Sequence, residues 1–265
     1  MTQGKGADTK ILVKADDLKV GYGKKVVAQG IHFSLHEGEI MVLIGPNGSG
    51  KSTLLKTVSG FLPALGGQLM LNGGRAEQMN RLERAKYLSV VTTHRPDVEW
   101  MKVWDVAASG RYPYTGRMGI LSDEDIRIVE NALDRLQAYD LRDRYFSQLS
   151  DGQKQRVMLA KSIAQRPKVL ILDEPTSFLD LRYQLEFIEI ASELAREDGI
   201  ALMMSLHELH AAVCLADSVL TLKGGYQDKT GTKDILTDGY IRRLYDIPDR
   251  YEIPAEMTSG GGDGI

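Results

Sequence analysis

Residues 45–53 read GPNGSGKST and follow the apolar run EIMVLI at 39–44. A chain that leaves a strand through Gly45, Gly48 and Gly50 folds tightly enough for successive backbone N–H groups to point inward, and TLLKTVSG after it reads as a helix whose positive end faces the same spot. The spacing G-x-x-x-x-G-K-[ST] lets Lys51 reach the β- and γ-phosphates of a nucleotide and the Ser52 hydroxyl bind Mg²⁺. Gly45, Pro46, Asn47, Gly48, Ser49, Gly50, Lys51, Ser52 and Thr53 are thus the candidate nucleotide-phosphate cradle. The plain alternative is a glycine-rich turn with a surface lysine.

The chain has 265 residues, 43% hydrophobic and 26% charged, enough to bury a large core as one unit. A net charge of -3 leaves no electrostatic footprint for a long nucleic-acid surface, and no nucleic-acid partner is expected. The one cysteine, Cys214 within AAVCLAD, reads as a small core residue in a reducing cytoplasm. The first residues lack the apolar stretch of a signal peptide, and apolar runs of 18 or more are absent, so a membrane role must pass through a partner.

Residues 11–40 carry a short, strand-like pattern with turns at GYGKK and HEGE, which predicts antiparallel strands beside the nucleotide core. GGQLMLNGG reads as another strand. SDEDIRIVENALDRLQAY opens on Ser122 and three acids and keeps Ile126, Val129, Leu133 and Leu136 on one helical face, so roughly 80–165 reads as a helical insert. KVLILDEP, GIALMMSLHE and DSVLTLKGG suit parallel strands buried on both faces. The tail SGGGDGI is expected to be disordered.

Asp173 and Glu174 end the KVLILDEP run on the side where α/β sheets bind ligands. There Asp173 is the candidate Mg²⁺ holder, through water, and Glu174 the candidate base for water attacking the γ-phosphate. Adjacent strand residues point to opposite faces, so a turn must bring both to one site, and Pro175 makes it plausible. A solvated acidic strand end is the alternative.

The stretch QLSDGQKQRVMLAKSIAQRPKVLILDEPTSFLD, residues 148–180, resembles the signature, Walker B and D-loop block of ATP-binding cassette (ABC) ATPases. The resemblance, over about residues 10–225, implies an α/β fold: a P-loop NTPase (RecA-like) core with an antiparallel β subdomain and a helical signature subdomain. One ABC domain would span 10–245, followed by a C-terminal extension at 246–265. It also implies two copies head to tail, with ATP between the cradle of one and Ser150, Gly152 and Gln153 of the other. A helix start at LSDGQ suits a γ-phosphate, though the stretch also reads as an ordinary cap. Asp151 stands where the family has glycine and is expected to cap the helix with its charge turned from the phosphates.

Further residues match one by one. Tyr22 resembles the aromatic that stacks on adenine, with a turn tyrosine as its alternative. Asp180 resembles the D-loop aspartate. His207 resembles the switch histidine near the γ-phosphate and completes the candidate catalytic set with Lys51 and Glu174. His210 is given no role. The glutamine that usually joins Mg²⁺ to the helical subdomain is missing from YLSVVTTHRPDVEW; Thr92 or Thr93 occupies its place.

AASGRYPYTGRMG with SDEDIRIVENALDRL resembles the cassettes of importers for iron chelates, haem and cobalamin. That implies ATP and Mg²⁺ as cofactors, a homodimer on the cytoplasmic face of the membrane, an integral membrane permease and an extracytoplasmic binding protein. The alternative is a soluble ABC ATPase acting on nucleic acid or ribosomes. Trp100 and Trp104 suit either a subdomain core or a groove for a partner helix.

Overall fold

The computed structural model describes residues 9–92, 98, 100–116, 118–177 and 179–259. The chain opens with two twelve-residue strands, β1 (Ile11–Tyr22) and β2 (Lys25–His36), then β3 (Ile40–Ile44), α1 (Lys51–Ser59), β4 (Gly66–Leu71) and the short β5 (Gly74–Arg75). Next come α2 (Arg81–Tyr87), β6 (Leu88–Val91), α3 (Val103–Ala108), α4 (Asp123–Arg135) and α5 (Asp151–Ala164). The rest runs β7 (Val169–Asp173), α6 (Leu181–Arg196), β8 (Ala201–Ser205), α7 (Leu209–Leu215), β9 (Ser218–Lys223), β10 (Tyr226–Thr232) and α8 (Asp238–Tyr245).

The strands line up as β5-β4-β1-β2-β10-β9-β3-β8-β7-β6. β1 pairs antiparallel with β2 and β4, as the sequence pattern predicts, whereas β9, β3, β8, β7 and β6 pair in parallel. A parallel bridge between Tyr226 and Gln29 joins the two halves.

Period-two alternation divides each buried strand between two cores. In β3, Ile40, Val42 and Ile44 pack with α4, α5 and α6, while Met41 and Leu43 pack with α1 and the antiparallel strands. β7 and β8 follow the same rule: Leu170, Leu172, Leu202 and Met204 face the first core, and Val169, Ile171, Ala201 and Met203 the second. Counting on by two puts Asp173 and Ser205 on the α1 side of the sheet, and the β7–β8 register sets them side by side.

β6 departs from the expected helical insert. Its four residues belong to the sheet, parallel to β7, so the helical segment that leaves the core consists of α3, α4 and α5. Ser122 caps α4 with Asp125 in a capping box, and of the predicted face Val129, Leu133 and Leu136 are buried while Ile126 is half-buried. Beyond α8, Ile247 and Ile253 pack on the core and the Ser259 N–H donates to the Leu236 carbonyl, so the expected tail is tied down at its first residue; residues 260–265 lie outside the described residues.

A buried ion pair holds the helical segment together. Arg111 Nε donates to Asp125 Oδ1 at 2.8 Å and its Nη1 to the Ala164 carbonyl at 2.8 Å, which joins the chain after α3 to the start of α4 and the end of α5. Hydrogen bonds from Ser122, side chain first and then backbone, and the Arg111 guanidinium hold the Asp125 carboxyl down at about 2. A depressed carboxylate stabilises the fold above its unfolded value near 3.8 and loses that contribution as pH falls through about 2. Asp125→Ala, which strands a buried guanidinium, should lower stability at neutral pH by about 3–5 kcal/mol in urea unfolding; the loss should shrink below about pH 4.

Candidate active site

Gly45 leaves β3 with φ 153 so close to β9 that a Cβ would stand 2.1 Å from the Leu222 carbonyl oxygen. Gly50 caps α1 at φ 109, where a Cβ would meet the Ala28 methyl at 2.8 Å. Only glycine passes both points, so the loop lies flat against β2 and β9 with the start of α1 open above it. Asn47 and Gly48 are exposed at its tip, Pro46 and Ser52 are half-buried, and Thr53 is buried inside the first turn.

The Lys51 side chain folds back over the loop. Its Nζ donates to the Gly45 carbonyl at 2.7 Å and the Pro46 carbonyl at 3.2 Å, and the residue is 5% exposed. Burial lowers the Lys51 pKa, while the Glu174 and Asp173 charges oppose that shift. The Ser49 hydroxyl is buried with no hydrogen-bond partner among the described residues. A triphosphate fits these features: its oxygens satisfy Ser49 and are stronger acceptors for the ammonium than two carbonyls.

Opposite the loop, Asp173 Oδ1 accepts from Ser52 Oγ at 3.0 Å and Ser205 Oγ at 2.8 Å. Carboxylate and hydroxyl oxygens are the hard donor set that suits Mg²⁺. Glu174 makes the required turn with its own backbone, at φ 51, and its N–H donates to Ser205 Oγ at 2.9 Å. That left-handed residue turns the chain before Pro175. Glu174 Oε1 lies 2.6 Å from His207 Nε2, which donates to it, and Oε2 accepts from Ser177 Oγ at 3.3 Å. Behind them Thr176 Oγ1 donates to Glu208, the residue just before α7, at 2.8 Å. Lys51, Ser52, Asp173, Glu174 and His207 thus converge at the carboxyl edge of the parallel strands.

Other predicted residues stand apart from this cluster. Ser150 is the N-cap of α5 and forms a capping box with Gln153, in which each side chain accepts the other's backbone N–H. This corrects the expected role of Asp151, which stands one residue inside the helix, its charge favourable to the dipole. Gly152 is glycine because a Cβ there would lie 2.7 Å from the Tyr183 ring. Asp180 caps α6 by accepting the Tyr183 N–H at 3.0 Å, so Tyr183 joins the signature to the D-loop. Tyr22 ends β1 and is 48% exposed.

Three further expectations change. Trp100 is 88% exposed, so the core reading holds for the partly buried Trp104 alone. Cys214 is exposed, because α7 buries Ala211, Ala212 and Leu215 and leaves the thiol on its outer face. His210 Nδ1 donates to the Glu256 carbonyl at 3.2 Å and so helps seat the C-terminal extension. Thr92 is half-buried directly after β6; Thr93 and Phe178 lie outside the described residues. Ser205 and Tyr183 are site residues that sequence reasoning missed. Ser205 ends its strand run with no motif of its own, and only the β7–β8 register reveals it.

Phosphate cradle and acidic strand end form the working edge of a P-loop nucleoside triphosphatase. The profile of the ABC transporter family matches residues 28–177. The iron(3+)-hydroxamate import ATP-binding protein FhuC of Bacillus subtilis is 34% identical over 236 residues, covering 89% of this chain and 88% of that one. The ferric enterobactin transport ATP-binding protein FepC of Escherichia coli is 33% identical, over 89% and 87%. A solved chain from an inward-facing ABC transporter, described as of metal-chelate type, superposes with a TM-score of 0.80 at 26% identity, covering 90% of both chains. The chain belongs to the ABC transporter family and is an ATP-hydrolysing subunit of that class. Ser205→Ala removes one donor to Asp173 and one acceptor of the Glu174 N–H, and should lower steady-state phosphate release about 10- to 100-fold while the chain stays folded by circular dichroism.

Proposed function

We propose that the chain powers import of an iron chelate, haem or cobalamin through a membrane permease, working as a homodimer on the cytoplasmic face. The observation that carries the hydrolytic part is the 2.6 Å contact between His207 and Glu174 beside the Ser52–Asp173 hydrogen bond. The similarity to iron-hydroxamate and enterobactin proteins supports the substrate class. Among the described residues no helix is long and apolar enough to cross a membrane, which agrees with a separate permease.

In this reading the N–H groups of the loop, Ser49 and Lys51 hold the β- and γ-phosphates, and Tyr22 stacks on adenine. Ser52 and Asp173 would hold Mg²⁺, which supplies positive charge against the phosphate oxygens when bound. Glu174 orients the attacking water and takes its proton, and His207 holds that carboxylate in place. Ser150, Gly152 and Gln153 serve the second copy's ATP. What supports this is their place at the N-terminus of α5, where Ser150 and Gln153 fix the cap by bonding each other and the positive end of the helix dipole suits a phosphate. Asp180 keeps the start of α6 in shape beside them.

A groove of about 680 Å³ lies between the end of α1, α2 and β6, with Phe61 64% exposed beside Arg81, Arg84 and Leu88. An exposed phenylalanine flanked by arginines suits a permease loop. Phe61→Ala should lower the amount of permease that co-purifies from detergent-solubilised membranes; capture of ribosomes or nucleic acid with no membrane protein would instead favour a soluble ATPase. Glu174→Gln should keep ATP binding, cut turnover at least about 100-fold and trap an ATP-dependent dimer in size-exclusion light scattering. Near wild-type phosphate release by that variant would remove Glu174 from the role of base.

A further inference from the structure

We propose that the cavity between the helical segment and the core binds a small organic anion, one carboxylate on a short apolar body. The cavity has a volume of about 350 Å³, inside the range of about 300–1,000 Å³ typical of small-ligand pockets. Ile128, Ile163 and Ile200 give it an apolar lining. Arg135, Arg166 and Lys168 line it with one carboxylate, Asp198; carboxylates outside the lining also pair with the two arginines, so Lys168 is the cation most open to a ligand.

These cations are incompletely used. Arg135 is in direct contact with Asp198 and lies 3.8 Å from Glu193. Arg166 meets Glu124 at 3.3 Å with both side chains more than half exposed, where an ion pair contributes little. The Lys168 ammonium makes no ion pair among the described residues. An incoming carboxylate takes Lys168 and Arg166 while its apolar end covers the isoleucines.

The backbone of Arg166 offers a way to remove its side chain without straining the turn. It directly follows Gln165, the C-cap of α5, and holds the left-handed conformation at φ 51. Glycine is the usual and least strained residue at that place. Gln137 takes the same conformation after the cap of α4, at φ 52, so the turn itself calls for no ligand; at Arg166 it sets an arginine in the cavity lining. Because α4 and α5 form one wall and the α6–β8 turn the other, an occupant spans the helical segment and the core.

The test is isothermal titration of the full chain with octanoate, with 1-octanol as the neutral control. Saturable octanoate binding is expected, tightened about fourfold per added methylene from hexanoate upward. The double variant Arg166→Gly with Lys168→Ala should bind at least about tenfold more weakly. Arg166→Gly alone should melt no lower than wild type, since glycine relieves the backbone. No saturable binding up to about 10 mM, equal binding by the double variant, or equal binding of octanol overturns the proposal. A lower melting temperature for Arg166→Gly overturns the role given to that arginine.

Discussion

A single carboxylate oxygen ties the working edge together. Asp173 Oδ1 accepts hydrogen bonds from α1 through Ser52 and from β8 through Ser205, and the Ser205 hydroxyl in turn accepts the Glu174 N–H. The start of α1, the end of β7 and the end of β8 thus meet through two hydroxyls. The interaction exists because three parallel strands end together with period-two side chains in register. A slip of one residue in β8 would turn Ser205 to the far face and leave both Asp173 and the Glu174 backbone without that partner.

The helical segment is joined to the sheet by polar contacts as well as by its core. Gln165 donates to the carbonyls of Ala85 and Leu88 and accepts from Ser89, so the end of α5 is locked to β6 where that strand begins. Tyr114 adds a second tie, with its hydroxyl on the Gln165 carbonyl and its ring between Arg111 and Lys86. These bonds act at one end of α5. Its other end, capped by Ser150, rests on α6 through Gly152 and Tyr183, so the signature is positioned by the helix that follows the acidic strand.

What was legible in the sequence was local. The loop at 45–53, the acidic end of β7 and the Ser122 cap each depend on residues a few positions apart. The strands β7 and β8 were legible because burial on both faces leaves an unbroken apolar run. β6 was not, since its four residues follow α2 without a glycine or proline to mark the change. Asp151 reads as a cap in sequence, but Ser150 stands three before Gln153 and completes the box; two good capping residues side by side make the local signal ambiguous. Cys214 misled because apolar neighbours in sequence do not reveal which face of a short helix is outward. Ser205 on Asp173 and the Tyr183 ring against Gly152 lay beyond any local reading, since those partners are 32 and 31 residues away in sequence.

Glu174 shows why strain belongs at this point. A left-handed glutamate costs about 1–2 kcal/mol relative to ordinary backbone, and the surrounding bonds must over-determine it. Its N–H is held by Ser205, its carboxylate by Ser177 and His207, and the next turn by Thr176 on Glu208. Without the turn, alternation would send Glu174 to the face opposite Asp173, into the core that contains Leu170 and Leu172. A carboxylate there would be desolvated without a partner, at a far greater cost than the backbone strain. The left-handed turn is therefore the less costly way to set two successive carboxylates at one edge, and it leaves Glu174 accessible to water while Asp173 stays buried against α1.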